Sequence, residues 1–296
     1  MDMHPFYRDL TSQALIDEQY NPGLKIEDKT APARHYVKQS RLARSSLLCH
    51  LDVPYGPTLT ETLDIFPAAQ PGAPVFVFLH GGYWRANSSK EFSCVALGLQ
   101  PLGITTVVVN YALCPVVTLD EIVRQVRAAL AWTVKHIHDY GGDPARVAVG
   151  GHSAGGQLTA MALQTPWVRD YGLPEDPFAA AVLISGIYDI APLRYSYLQP
   201  LIQLDEGLIR RNSPAFAVRA CKTPVWVNWG AQESAEFARQ AHLFQDAWLA
   251  SGNTGEISAV PDTDHFSVVH GLEHSDSALC QWLAKRLGAS SLCTGT

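Results

Sequence analysis

Runs of apolar residues that are hydrophobic on both faces recur along this chain: "PVFVFLHGG" from Pro74, "ITTVVVNY" from Ile104, "RVAVGG" from Arg146, "FAAAVLISG" from Phe178 and "PVWVNWG" from Pro224. Short runs of this kind, rich in Val, Ile and Phe, are what the strands of a doubly covered parallel sheet look like. Between the second and third runs, Leu119, Ile122, Val123, Val126, Leu130 and Val134 step by three and four, opened by "TLDE" and closed near "YGGDP". That spacing predicts an amphipathic helix. Further helices are predicted over 90–99, 154–163, 233–250 and 276–287, with a last strand at "EISAV". The alternation defines an α/β class with a mostly parallel central sheet, helices on both faces and right-handed crossovers. Ahead of it, "CHLDVPYG" and "TLTETLDIFP" read as an antiparallel hairpin at the sheet edge.

Two stretches fit the sheet less well. Residues 1–45 form a polar, helix-prone arm, and residues 191–214, "APLRYSYLQPLIQLDEGLIRRNSP", are a cap-like insertion between strands. An insertion at the C-terminal edge of a parallel sheet commonly shapes a pocket. Both are read as parts of a single domain spanning 1–296.

Composition narrows the partners. Among 296 residues, 28 acids and 22 bases give a net charge of -6 with no basic run, which disfavours nucleic acid and anionic membranes. The opening "MDMHPFYRDL" lacks an apolar signal core, and no segment is apolar for long enough to span a bilayer, so a cytoplasmic location is expected. The six cysteines contain no C-x-x-C pair and are read as free thiols, mostly core fillers. The last residues, "GASSLCTGT", are expected to fray.

The strongest chemical signal is "GGHSAGG", where Gly151, His152, Ser153, Ala154 and Gly155 spell G-x-S-x-G between a predicted strand and a predicted helix. That order is a nucleophile elbow: a tight turn lifts the serine hydroxyl above the sheet, and glycines stand where side chains would collide. A serine needs a base, and the base needs an acid to orient it. Of eleven histidines, His265 in "PDTDHFSVV" falls where the base belongs, between the last strand and the last helix. His152 is expected to pack against the elbow, and His270 and His274 to lie on the surface. His136 and His138 fall on different helix faces, which argues against a metal site there; no metal and no cofactor are expected. "HGGYW" after the strand "VFVFL" matches the loop that supplies oxyanion donors, so backbone N–H groups of Gly81, Gly82, Tyr83 and Ala154 are the candidates. Two acids compete for the third place: Asp189 in "SGIYDI" and Glu233 in "GAQES" each follow a strand. Asp262 is expected to brace the histidine loop rather than to contact the ring.

Taken together, "HGGYW", "GHSAGG", "SGIYDI" and "DTDHF" resemble the kynurenine formamidase (arylformamidase) group of the α/β-hydrolase superfamily, with weaker likeness at "EQYNP" and "QESAEFARQ". The resemblance covers nearly the whole chain and implies an α/β-hydrolase fold. In that family an aspartate directly precedes S-P-E-F and serves as the triad acid; Glu233 directly precedes "SAEF" here. The carry-over assigns Ser153 as nucleophile, His265 as base and Glu233 as acid, with a side chain about 1.5 Å longer than the family's aspartate. The implied reaction is hydrolysis of N-formylkynurenine or another small aryl amide through an acyl-enzyme. Trp84, Tyr195, Tyr197 and Phe266, with Tyr83, are candidates to wall an aromatic pocket, and Arg194 to meet a carboxylate. Broader esterase activity is the nearest alternative and a non-catalytic binding protein the remote one. A homodimer is suggested by the family likeness and the arm.

Overall fold

The computed structural model describes residues 6–289. Eight strands form one sheet: β1 (His50–Pro54), β2 (Thr62–Phe66), β3 (Ala73–Leu79), β4 (Thr105–Val109), β5 (Gly142–His152), β6 (Ala180–Ile184), β7 (Val225–Gly230) and β8 (Gly255–Val260). Their spatial order is β1-β2-β4-β3-β5-β6-β7-β8. The β1–β2 and β2–β4 pairs are antiparallel and the rest parallel, so the hairpin lies at one edge as its turn residues predict. Every side chain of β3, β4 and β6 is buried, which is why these segments read as unbroken apolar runs.

The amphipathic helix runs Leu119–His136, with the Thr118 hydroxyl accepting from the Glu121 N–H at its start. Helices Ala154–Leu163, Ala235–Ala250 and Ala278–Leu287 match predicted ones, the last two starting two residues later than expected. The segment predicted helical over 90–99 differs: it is two 3-10 turns, Ser89–Glu91 and Ser93–Val95, and one α turn, Ala96–Leu99. The cause is tertiary. Carbonyls that a helix would have used accept from the arm instead, Lys90 O from Arg44 and Glu91 O from the Ser40 hydroxyl at 2.8 Å.

The arm holds helices Gln13–Tyr20 and Ala31–Ser46. It is polar outside, yet Ile16 and Tyr20 are fully buried. Residues 191–214 form a 3-10 turn, Ala191–Tyr195, and two short helices, Gln199–Ile202 and Glu206–Asn212. Among the described residues five cysteines are free, four of them buried, and no helix is long and apolar enough to cross a membrane. Cys293 and positions 290–296 of the tail lie outside the described residues.

Candidate active site

The turn between β5 and the helix Ala154–Leu163 puts Ser153 at φ 58, ψ -116, a conformation L residues rarely adopt. Its glycines have a measurable reason. A Cβ on Gly151 would sit 2.3 Å from the Gly155 carbonyl oxygen, and one on Gly155 only 1.9 Å from that of Leu79. Gly155→Ala should therefore cost roughly 3 kcal/mol or more of stability, because β3 cannot retreat without unpairing. A urea unfolding midpoint close to wild type would contradict this packing.

His265 lies in the loop after β8. Its Nε2 is 3.0 Å from Ser153 Oγ, and its Nδ1 is 2.7 Å from Glu233 Oε2. All three side chains are buried, Glu233 being only 1% exposed. Glu233 sits in the turn after β7, ahead of the helix, and its other oxygen, Oε1, accepts from the Gly230 N–H at 2.7 Å and from the Ser185 hydroxyl. The longer side chain is thus folded back and clamped. Asp189 lies elsewhere, accepting from the Tyr7 hydroxyl at 2.7 Å and the Ala191 N–H at 3.0 Å.

The loop 80–84 is turned by positive φ at Gly82 (123), Tyr83 (50) and Trp84 (56). Among the described residues, the N–H groups of Gly82 and Tyr83 have no hydrogen-bond acceptor. Ala154, first in its helix, has no intrahelical acceptor either. His80 braces this loop, its Nδ1 donating to the Gly81 carbonyl at 2.8 Å; burial pushes its pKa down to about 4. His152 packs at the elbow as expected. Its Nε2 donates to the His265 carbonyl at 2.7 Å, and burial, then the neighbouring His265, keep it neutral. The loop brace is Asp264 rather than Asp262, whose carboxylate is not engaged. Asp264 accepts from the N–H groups of Phe266 and Ser267 and from the Ser267 hydroxyl. Burial raises its pKa, but these bonds outweigh burial and hold it below the usual carboxylate range.

A cavity of about 190 Å³ opens above Ser153, lined by Tyr36, Tyr83, Phe92, Tyr197 and Phe266, by Asn21 to Gly23 of the arm, and by no Asp, Glu, Lys or Arg. Tyr83, Tyr197 and Phe266 are where the aromatic-wall expectation puts them. Trp84 is not: it is buried behind the loop, with Nε1 donating to Gln157 at 3.1 Å. Tyr195 stacks on Phe6 in a separate groove, held outward by the insertion. Arg194 pairs at 3.5 Å with exposed Glu206, away from the cavity.

The arm is tied to each loop of the site. Tyr83 donates its hydroxyl to the Tyr20 carbonyl, Ser234 donates to the Gln19 carbonyl at 2.6 Å, and Tyr36 donates to the Phe266 carbonyl at 2.7 Å. Tyr36 carries no local signal that would have found it, whereas Asn21 lies in "EQYNP", one of the stretches that carry the family likeness. Ser185 is found only through the sheet: β6 and β7 pair in register up to Ile184 and Asn228, which brings the residue after β6 beside the turn that follows β7.

A mostly parallel sheet with a serine on a strand-to-helix elbow, facing a histidine from a later loop, defines an α/β-hydrolase. The family described as the alpha/beta hydrolase fold matches residues 76–223. Kynurenine formamidase from Danio rerio is 31% identical over 255 residues, covering 84% of this chain and 85% of that protein. The Salmo salar kynurenine formamidase is 32% identical over 248 residues, covering 81% and 82%. Esterase LipQ from Mycobacterium tuberculosis is 28% identical and covers 82% of this chain and 60% of its own length. A crystal structure from Silicibacter sp. TM1040 superposes with a TM-score of 0.79 at 28% identity, covering 90% of this chain and 97% of that one. By these relatives the chain belongs to the kynurenine formamidase family of α/β-hydrolases.

Proposed function

We propose that this hydrolase cleaves a small aryl amide, an aryl formamide such as N-formylkynurenine foremost, with Ser153 as nucleophile, His265 as base and Glu233 as orienting acid. The observation that carries the reading is the continuous pair of hydrogen bonds from Glu233 through His265 to Ser153, 2.7 and 3.0 Å, opening on an uncharged aromatic cavity. With Nδ1–H donated to Glu233, the Nε2 lone pair faces the serine hydroxyl, the tautomer a base requires. Ser153 Oγ attacks the formyl carbon as its proton passes to Nε2. The oxyanion is met by N–H groups of the 81–83 loop and of Ala154. His265 then returns the proton to the departing arylamine, whose lone pair the ring delocalises, and water releases formate from the acyl-enzyme. A cavity of ~150 Å³ can hold a benzene ring, so an aryl group fits the space above Ser153.

A broader esterase range is the second reading, favoured by the likeness to LipQ, and uses the same residues. The test is kcat/KM for N-formylkynurenine against the N-acetyl analogue and a phenyl ester. Gly81 stands so close to the nucleophile that a Cβ on it would lie 3.1 Å from the Ser153 Cβ, so the acyl side is narrow. A one-carbon acyl group should be preferred over acetyl by ~10-fold or more, the low end of what one methyl group decides in a fitted site. Equal values, with esters far ahead of both, would move the assignment to the esterase.

A further inference from the structure

Among the described residues, one cluster of metal-ligand side chains outside the active site joins the arm to the segment just past His265. His35 comes from the helix Ala31–Ser46; His270 and Glu273 come from the 3-10 turn Val268–Glu273. His35 Nε2 is 3.0 Å from both Glu273 oxygens, and the imidazoles of His35 and His270 stack with centroids 3.9 Å apart. One ligand atom from each residue lies within 4.8 Å of the other two. The surface position expected for His270 does not hold: it is half-buried, packed against Tyr36 and His35, because the arm covers the turn that carries it. Its Nε2 is buried with no hydrogen-bond partner. A plain His35–Glu273 ion pair leaves that nitrogen unexplained, and a buried polar atom without a partner is costly.

We propose that His35, His270 and Glu273 bind a divalent transition-metal ion, with zinc the best match. Two imidazoles and one carboxylate are a zinc donor set, and zinc tolerates a fourth position filled by water. In a tetrahedral site with bonds of about 2.0–2.1 Å, neighbouring ligand atoms stand roughly 3.4 Å apart. The His35–Glu273 distance is already near this, and His35, with its side chain 33% exposed, has room to turn off the stack and leaves an entry path. Glu273, 4% exposed, is the fixed member. An ion here would staple the arm to the segment behind the catalytic loop, next to Tyr36, which lines the cavity. The site is independent of the proposed amide hydrolysis.

The test uses full-length, untagged protein stripped with chelator and titrated calorimetrically with zinc chloride, alongside thermal unfolding. One ion per chain is expected, and at zinc about 100-fold above Kd the melting temperature should rise by roughly 4 °C. His270→Ala should weaken binding by at least ~100-fold, since it deletes a direct ligand and not only a supporting contact. Should that variant fail to fold, His35→Gln removes a ligand from the exposed side and should give the same loss. Absence of saturable binding to wild type, or binding that survives both substitutions unchanged, overturns the site.

Discussion

Ser153→Ala is expected to lower kcat by roughly 10⁴ to 10⁶-fold, about 5 to 8 kcal/mol of transition-state stabilisation, while leaving the protein folded. The loss is large because, in the proposed mechanism, the hydroxyl is the group that becomes covalently attached; no neighbour can replace it. His265 Nε2 reaches Ser153 Oγ at 3.0 Å, its other nitrogen is committed to Glu233, and among the described residues no other Ser or Thr lines the cavity. Folding should survive because the elbow is enforced from outside the side chain. The Ser153 N–H donates to the Ile184 carbonyl at 2.8 Å, the Gly156 N–H donates to the Ser153 carbonyl at 2.9 Å, and Gly151 and Gly155 close on β3. Turnover on N-formylkynurenine, with circular dichroism as the folding control, checks this. Activity near wild type would remove Ser153 from the mechanism.

The second large effect is expected at Glu233. Its Oε1 accepts from Gly230 and Ser185, and its Oε2 accepts from His265. Glutamine has only one oxygen to offer. If that oxygen keeps the two donors, its NH₂ faces His265 Nδ1 and forces the proton onto Nε2, so the ring can no longer take the serine proton. If it is turned the other way, the NH₂ confronts the Gly230 N–H, which can only donate, in a buried site. The first arrangement costs less, and a wrong tautomer of this kind costs roughly 10⁴-fold in kcat. Glu233→Asp is about 1.5 Å shorter and cannot reach both His265 and its clamp, so it should fall between Gln and wild type. Asp189→Asn should change kcat by less than about threefold, because Asp189 serves Tyr7 and the Ala191 turn. The reverse ranking would transfer the acid role to Asp189.

Both effects rest on contacts whose legibility in the sequence differs greatly. The elbow could be read directly because its constraint is local: five consecutive residues must make one turn, and only glycine fits at 151 and 155. The strands could be read because a strand buried on both faces has little choice but to be apolar throughout. Glu233 was legible only in part. Position allowed two acids, family resemblance favoured one, and the Ser185 clamp came into view with the β6–β7 register. The segment 90–99 defeated its own helical pattern because Ser40 and Arg44, some fifty positions upstream, took its carbonyls. Aromatic residues in the insertion looked like pocket walls, but Tyr195 faces a different groove, while Tyr36 and Phe92, with no local mark at all, face the cavity.

The α/β sheet, the elbow, the histidine loop and the glycine turn after β3 can be read from the residues alone, because each depends on short-range periodicity or on backbone conformations that few residues tolerate. What surrounds them was set by packing between distant segments. It laid the arm across the active site through Tyr20, Tyr36 and Gln19, closed an aromatic cavity over Ser153, and stacked His35 on His270. Those contacts join residues as far apart as His35 and His270, 235 positions along the chain. Their partners are chosen by the shared geometry of the folded chain, and no local pattern records that choice.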